Sequence, residues 1–186
     1  MKKGLVIVIS SPSGGGKTAV CREVRKFIPA IKFSISLTTR PPRRGEKNGR
    51  DYFFVTEDEF KKYIRQNKLI EYALVHNYYY GTPKDFLEKT ISRGNDIILA
   101  IDVQGAKKIK RIYPDAVSIF ILPLSLKVLK QRLQKRGLDD KETIETRLKN
   151  AGKEIKQSKD YEYIVINKKL TDTAKQVCSI IEPEHN

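Results

Sequence analysis

The chain has 186 residues, with 37 Lys and Arg against 22 Asp and Glu, for a formal net charge of +15. A hydrophobic fraction of 39% supports a core and excludes disorder as the overall state, and the length fits one domain with attached subdomains. The positive surplus points to an anionic partner, which leaves nucleic acid, a membrane surface and a phosphorylated small molecule open.

Short apolar runs rich in Val and Ile fall at 5–9, 33–37, 97–101, 117–122 and 163–166. Such runs fit buried parallel strands. Helical patterns lie between them at 18–28, 83–93, 104–113, 125–136, 141–158 and 171–181. This alternation predicts an α/β fold with right-handed crossovers. Residues 38–82 are too long for a single crossover and predict an inserted subdomain. Within it, Thr56-Glu57-Asp58-Glu59 reads as a capping box opening a helix to Gln66, flanked by antiparallel strands at 52–55 and 69–75. The polar stretch 125–158, two charged helices joined at Gly137-Leu138-Asp139, reads as a solvated hairpin able to move.

Cys21 and Cys178 are too few for a disulfide scaffold, form no Cys-x-x-Cys pair, and read as small core side chains. His76 and His185 alone make a metal site improbable. The run at 5–9 is too short for a secretory leader, and nothing approaches the about 18 apolar residues of a membrane span, so the cytosol is expected.

The first strand leads into Ser11-Pro12-Ser13-Gly14-Gly15-Gly16-Lys17-Thr18, followed by a helix. The segment fits Gly-x-x-x-x-Gly-Lys-Ser/Thr except that Ser11 replaces the first glycine. Glycines let backbone N–H groups converge on phosphate oxygens, and the helix N-terminus favours negative charge. Lys17 would neutralise β- and γ-phosphates and the Thr18 hydroxyl would help to hold magnesium. The segment therefore reads as a nucleotide phosphate site.

The inserted segment runs Ser36-Leu37-Thr38-Thr39-Arg40-Pro41-Pro42-Arg43-Arg44-Gly45-Glu46, then Asn48-Gly49-Arg50-Asp51-Tyr52-Phe53-Phe54. Taken alone, its arginines also suit a solvated loop or an RNA-contacting patch. In order and combination, however, the segment closely resembles the guanylate kinase signature S-x-T-T-R-x-P-R-x-G-E-x-x-G-x-D-Y-x-F. The resemblance continues through Ile70-Glu71-Tyr72-Ala73, Tyr79-Tyr80-Gly81-Thr82, Ile101-Asp102-Val103-Gln104-Gly105, Gln131-Arg132-Leu133 with Arg136-Gly137, and Thr146-Arg147-Leu148.

That resemblance implies a P-loop NTPase-type parallel sheet flanked by helices, with a core at 1–36, 83–124 and 159–186. It also implies a GMP-binding insertion at 37–82 and a helical lid at 125–158. The implied reaction is magnesium-dependent transfer of the ATP γ-phosphate to GMP, with dGMP as a second acceptor, in purine nucleotide metabolism and GMP recycling. Catalysis falls to Lys17, Arg40, Arg132, Arg136 and Arg147. ATP would be bound by residues 11–18 (Ser11, Pro12, Ser13, Gly14, Gly15, Gly16, Lys17 and Thr18) with Arg136 and Asn167. The GMP phosphate would be held by Arg40, Arg43, Tyr52 and Tyr80, and guanine by Glu71 with Ser36, Thr82 and Asp102. Ala100 stands two positions before Asp102, where the family commonly has an acidic residue, which leaves magnesium to Thr18, water and Asp102. The expected partners are ATP and GMP, with neither nucleic acid nor membrane, for a monomer or homodimer.

Overall fold

The computed structural model describes residues 3–137 and 140–185, apart from the side chains of Arg136 and His185. In chain order the first elements are β1 (Val6–Ser10), α1 (Lys17–Phe27), β2 (Lys32–Ser34), β3 (Leu37–Thr38), β4 (Phe53–Phe54), α2 (Glu57–Arg65), β5 (Leu69–Val75) and β6 (Tyr78–Pro83). Then come α3 (Lys84–Ser92), β7 (Ile97–Ala100), α4 (Val103–Ile112), β8 (Val117–Pro123), α5 (Leu126–Arg136), α6 (Lys141–Lys156), a 3-10 turn, β9 (Tyr163–Asn167) and α7 (Leu170–His185). Among the described residues, no helix is long and apolar enough to cross a membrane.

β1 is buried along its whole length because helices cover both sheet faces. Its side chains alternate accordingly. Ile7 and Ile9 join Val20 and Val24 of α1 and Val177 and Ile181 of α7 on one face. Val6 and Val8 meet Leu87 of α3 and Ile109 of α4 on the other. The parallel sheet has the order β2-β7-β1-β8-β9, so successive connections run to opposite sides of β1. In such sheets ligands bind beyond the carboxyl ends of the strands where the order reverses, and the glycine-rich segment after β1 occupies that place.

A second sheet, β4-β3-β6-β5, carries the inserted segment. The capping box forms as expected at α2, with the Glu59 N–H donating to Thr56 Oγ1 at 3.2 Å and the Thr56 N–H donating to Glu59 Oε2 at 2.8 Å. Phe60, fully buried, stacks on Tyr79 at 5.3 Å and centres a small core with Leu37 and Leu69.

Two expectations need correction. The run at 33–37 is not one strand: β2 ends at Ser34 in the core sheet, and the chain enters the second sheet at Leu37 as β3. The strand expected antiparallel at 52–55 is β4, and it pairs with β3 in parallel. The tyrosine-rich run after His76 is β6, which continues through Gly81 and Pro83. It is held as the return arm of a hairpin whose His76 and Asn77 have φ of 50° and 66°. Two consecutive left-handed residues suit the twist of a tight hairpin.

Candidate functional site

α1 opens directly from the glycine-rich loop. Gly16, its N-cap, has φ of 99°, and a Cβ there would come within 2.4 Å of Asn167 Nδ2, so conformation and space both require glycine. The loop is pinned from behind. Its Gly15 carbonyl accepts Asn167 Nδ2 at 2.9 Å and Arg132 Nη1 at 3.3 Å, while Leu129 and Leu133 of α5 pack at Gly14. These contacts leave the loop's cavity side open.

Lys17 Nζ donates to the Ile101 carbonyl at 2.8 Å. Burial lowers the Lys17 pKa, and Asp102, followed by Cys21, Glu154 and Glu71, opposes that shift. A partly desolvated ammonium at a helix N-terminus is a strong attractor for anions. Glu154 of α6 reaches the same loop: its carboxylate accepts the Ser13 N–H at 3.4 Å. Burial raises the Glu154 pKa, against the Ser13 bond and Lys17. Thr18, in the first turn of α1, is exposed on the same side.

Across the cavity stands a second cationic cluster. Arg40 is only 7% exposed, and its Nη2 donates to both Glu46 oxygens at 3.0 and 2.9 Å. Its Nε donates to the Tyr80 hydroxyl at 3.2 Å, and the Arg43 N–H closes the loop onto Glu46 at 2.7 Å. The guanidinium lies 5.5 Å from the centre of the Tyr52 ring, which meets Tyr80 edge-on at 5.9 Å. Burial, then Tyr80, pushes the Tyr52 hydroxyl up to about 12, which keeps it a neutral donor. One held guanidinium and two phenols make an anion site.

Glu71 is 4% exposed, and β5 and β6 pair it in register with Thr82, whose hydroxyl donates to Glu71 Oε1 at 2.5 Å. Burial is the main cause that pushes its carboxyl up to about 7; Asp102 adds to the rise, and the Thr82 bond, Lys108 and Lys17 oppose it. Asp102 caps α4, accepting the N–H groups of Gln104 at 2.7 Å and Gly105 at 3.3 Å.

One cavity of about 870 Å³ joins both clusters. Of the residues named from sequence, Ser11, Pro12, Ser13, Gly14, Gly16, Lys17, Thr18, Ser36, Arg40, Arg43, Tyr52, Glu71, Tyr80, Asp102 and Arg147 line it. Thr82 stands buried behind Glu71, and Gly15 is buried within the loop. Arg132 and Asn167 instead line a neighbouring cleft of about 380 Å³ behind the loop, with Ala19, Lys135 and Leu170. The side chain of Arg136 lies outside the described residues.

Sequence reasoning missed two carboxylates. Glu46 belongs to the quoted motif, and the signal was its place three residues after Arg43 in a turn. Glu154 sits in a charged helix with no local pattern to mark it.

A parallel α/β sheet with a glycine-rich phosphate loop at its switch point defines a nucleotide-binding protein of the P-loop class. The second anion-binding cluster across the same cavity suits a member that handles two phosphorylated ligands. The guanylate kinase family model matches residues 3–184. A guanylate kinase of Caldanaerobacter subterraneus is 45% identical over 183 residues, covering 98% of this chain and 89% of that protein. One of Clostridioides difficile is 43% identical over 186 residues, covering 100% and 91%. The crystal structure of guanylate kinase from Anaplasma phagocytophilum superposes with a TM-score of 0.83 at 34% identity, covering 100% of this chain and 88% of that one. The chain belongs to the guanylate kinase family, and it is a nucleotide kinase, a phosphotransferase.

Proposed function

We propose that the chain transfers the γ-phosphoryl group of ATP to GMP, giving ADP and GDP. The observation that carries this is that Glu71, held from behind by Thr82, lines one cavity with both the phosphate loop and the Arg40 cluster. Guanine presents N1–H and a 2-amino group side by side, and one carboxylate accepts both. Adenine would set a lone pair against that carboxylate, and a buried polar group left unpaired is what makes such discrimination large.

In this reading Arg40, Arg43, Tyr52 and Tyr80 hold the GMP phosphate, with Ser36 and Asp102 beside the base. The loop amides and Lys17 cradle the ATP phosphates, and Asn167 lies toward the base end of ATP. Arg147, with Arg132 and Arg136, serves the transferring group when the lid at 125–158 closes. The acceptor phosphate oxygen attacks the γ-phosphorus, so the protein supplies alignment and charge rather than a nucleophile.

Magnesium fits this donor set. Thr18 and Asp102 both line the cavity beside the phosphate loop, so the Thr18 hydroxyl and water, with Asp102 nearby, would hold the ion against the phosphates. When bound, magnesium would offset phosphate charge. The insertion at 37–82 and the lid at 125–158 would close over the core to exclude water, and the protein would act in the cytosol.

A coupled ADP-release assay across GMP, dGMP, AMP and UMP tests the reading. Release should depend on GMP or dGMP; equal release with AMP would refute it.

A further inference from the structure

We propose that Gly105 is a specificity-determining position, present as glycine so that the Glu71 carboxylate can occupy the place from which it reads guanine. The proposal rests on Glu71 being the guanine acceptor.

Gly105 sits in the first turn of α4, where glycine is a poorer helix former than alanine. Its φ is not among the positive values that demand glycine elsewhere in the chain, so the backbone gives no reason for it. Space does. A Cβ at Gly105 would lie 2.7 Å from Glu71 Oε2 and 3.1 Å from Glu71 Cδ. Ordinary carbon–oxygen contact begins near about 3.3 Å, so a methyl group would drive the carboxylate off by about 0.6 Å.

The helix is not free to yield instead. Asp102 holds its start through the Gln104 and Gly105 N–H groups, and Lys108 Nζ ties it to β5 by donating to the Tyr72 carbonyl while lying 4.7 Å from the Tyr72 ring centre. Glu71 Oε1 is in turn held by Thr82 at 2.5 Å. The carboxylate is thus seated between β6 and α4, with one oxygen on a hydroxyl and the other against bare Cα. Moving the flexible end of one side chain costs the fold little. It costs recognition more, because a pair of parallel hydrogen bonds tolerates little displacement.

The test compares Gly105→Ala, Glu71→Ala, Glu71→Asp and the double variant Glu71→Asp/Gly105→Ala. Gly105→Ala should raise KM for GMP by about ten- to a hundredfold. KM for ATP should stay within about twofold, and the melting temperature should equal or exceed that of the parent. In the Glu71→Asp background, where the shortened carboxylate no longer meets the methyl group, adding Gly105→Ala should cost less than about twofold more. An unchanged KM for GMP in Gly105→Ala, a lower melting temperature with both KM values raised, or an equal penalty in both backgrounds overturns the proposal. If Glu71→Ala itself retains normal GMP use, the reading of Glu71 falls and the proposal with it. Normal loss in Glu71→Ala beside an unaffected Gly105→Ala sinks the proposal alone.

Discussion

Glu71→Gln separates the acceptor's charge from its shape. Burial carries the Glu71 carboxyl from the ordinary 4.5 to about 7. That shift corresponds to about 3 kcal/mol against the ionised form in the folded state. The sign follows: the folded state holds this proton more tightly than the unfolded chain. Its cost to stability is therefore absent below pH 4.5, grows between 4.5 and 7, and is complete above 7. Recognition runs the other way, since only the carboxylate accepts both guanine donors. The ionised fraction rises about tenfold between pH 6 and pH 8, and kcat/KM for GMP, which reports free enzyme and free substrate, should rise with it. The GMP phosphate also titrates near pH 6 and adds about twofold over the same interval. Glu71→Gln should therefore keep only that twofold slope, at a much lower level, and should gain melting temperature relative to the parent as pH rises toward 7. Steady-state rates at limiting GMP and saturating ATP, measured from pH 6 to pH 8, give both slopes. Equal slopes for parent and variant would refute the assignment of the charge to Glu71.

Other expectations follow from single contacts. Lys17→Ala should lower kcat by about a hundred- to a thousandfold, as loss of a preorganised donor does, without lowering the melting temperature, because the partly desolvated ammonium is held against its desolvation cost. Arg40→Lys keeps a charge but cannot span both Glu46 and a phosphate; KM for GMP should rise about ten- to a hundredfold while KM for ATP holds. Phe60→Ala empties the centre of the insertion's core and should cost about 3–5 kcal/mol, read as a fall in denaturation midpoint with weakened GMP use.

Legibility in the sequence tracked contiguity. The phosphate loop is one unbroken segment whose glycines, lysine and helix start follow from local backbone physics, and it was readable in full. The core strands were readable because a sheet covered on both faces demands unbroken apolar runs. The division at 33–37 was not, since Phe33 and Leu37 share one period-two pattern while belonging to different sheets. Only the competing partners, β7 for one and β6 for the other, decide where the chain leaves. The acceptor side was legible through resemblance alone. Glu71 reads locally as an exposed strand residue, and its burial comes from α4, about 30 residues onward. Glu46 and Glu154 act through residues brought close by turns and packing, which no spacing rule records.

Phosphate should pass directly between two nucleotides held in one cavity. Following the label from γ-labelled ATP with GMP present measures this most directly. Label should appear in GDP, with little in inorganic phosphate and none in a nucleoside diphosphate product when AMP replaces GMP. Label released as inorganic phosphate at the same rate with or without GMP would contradict it.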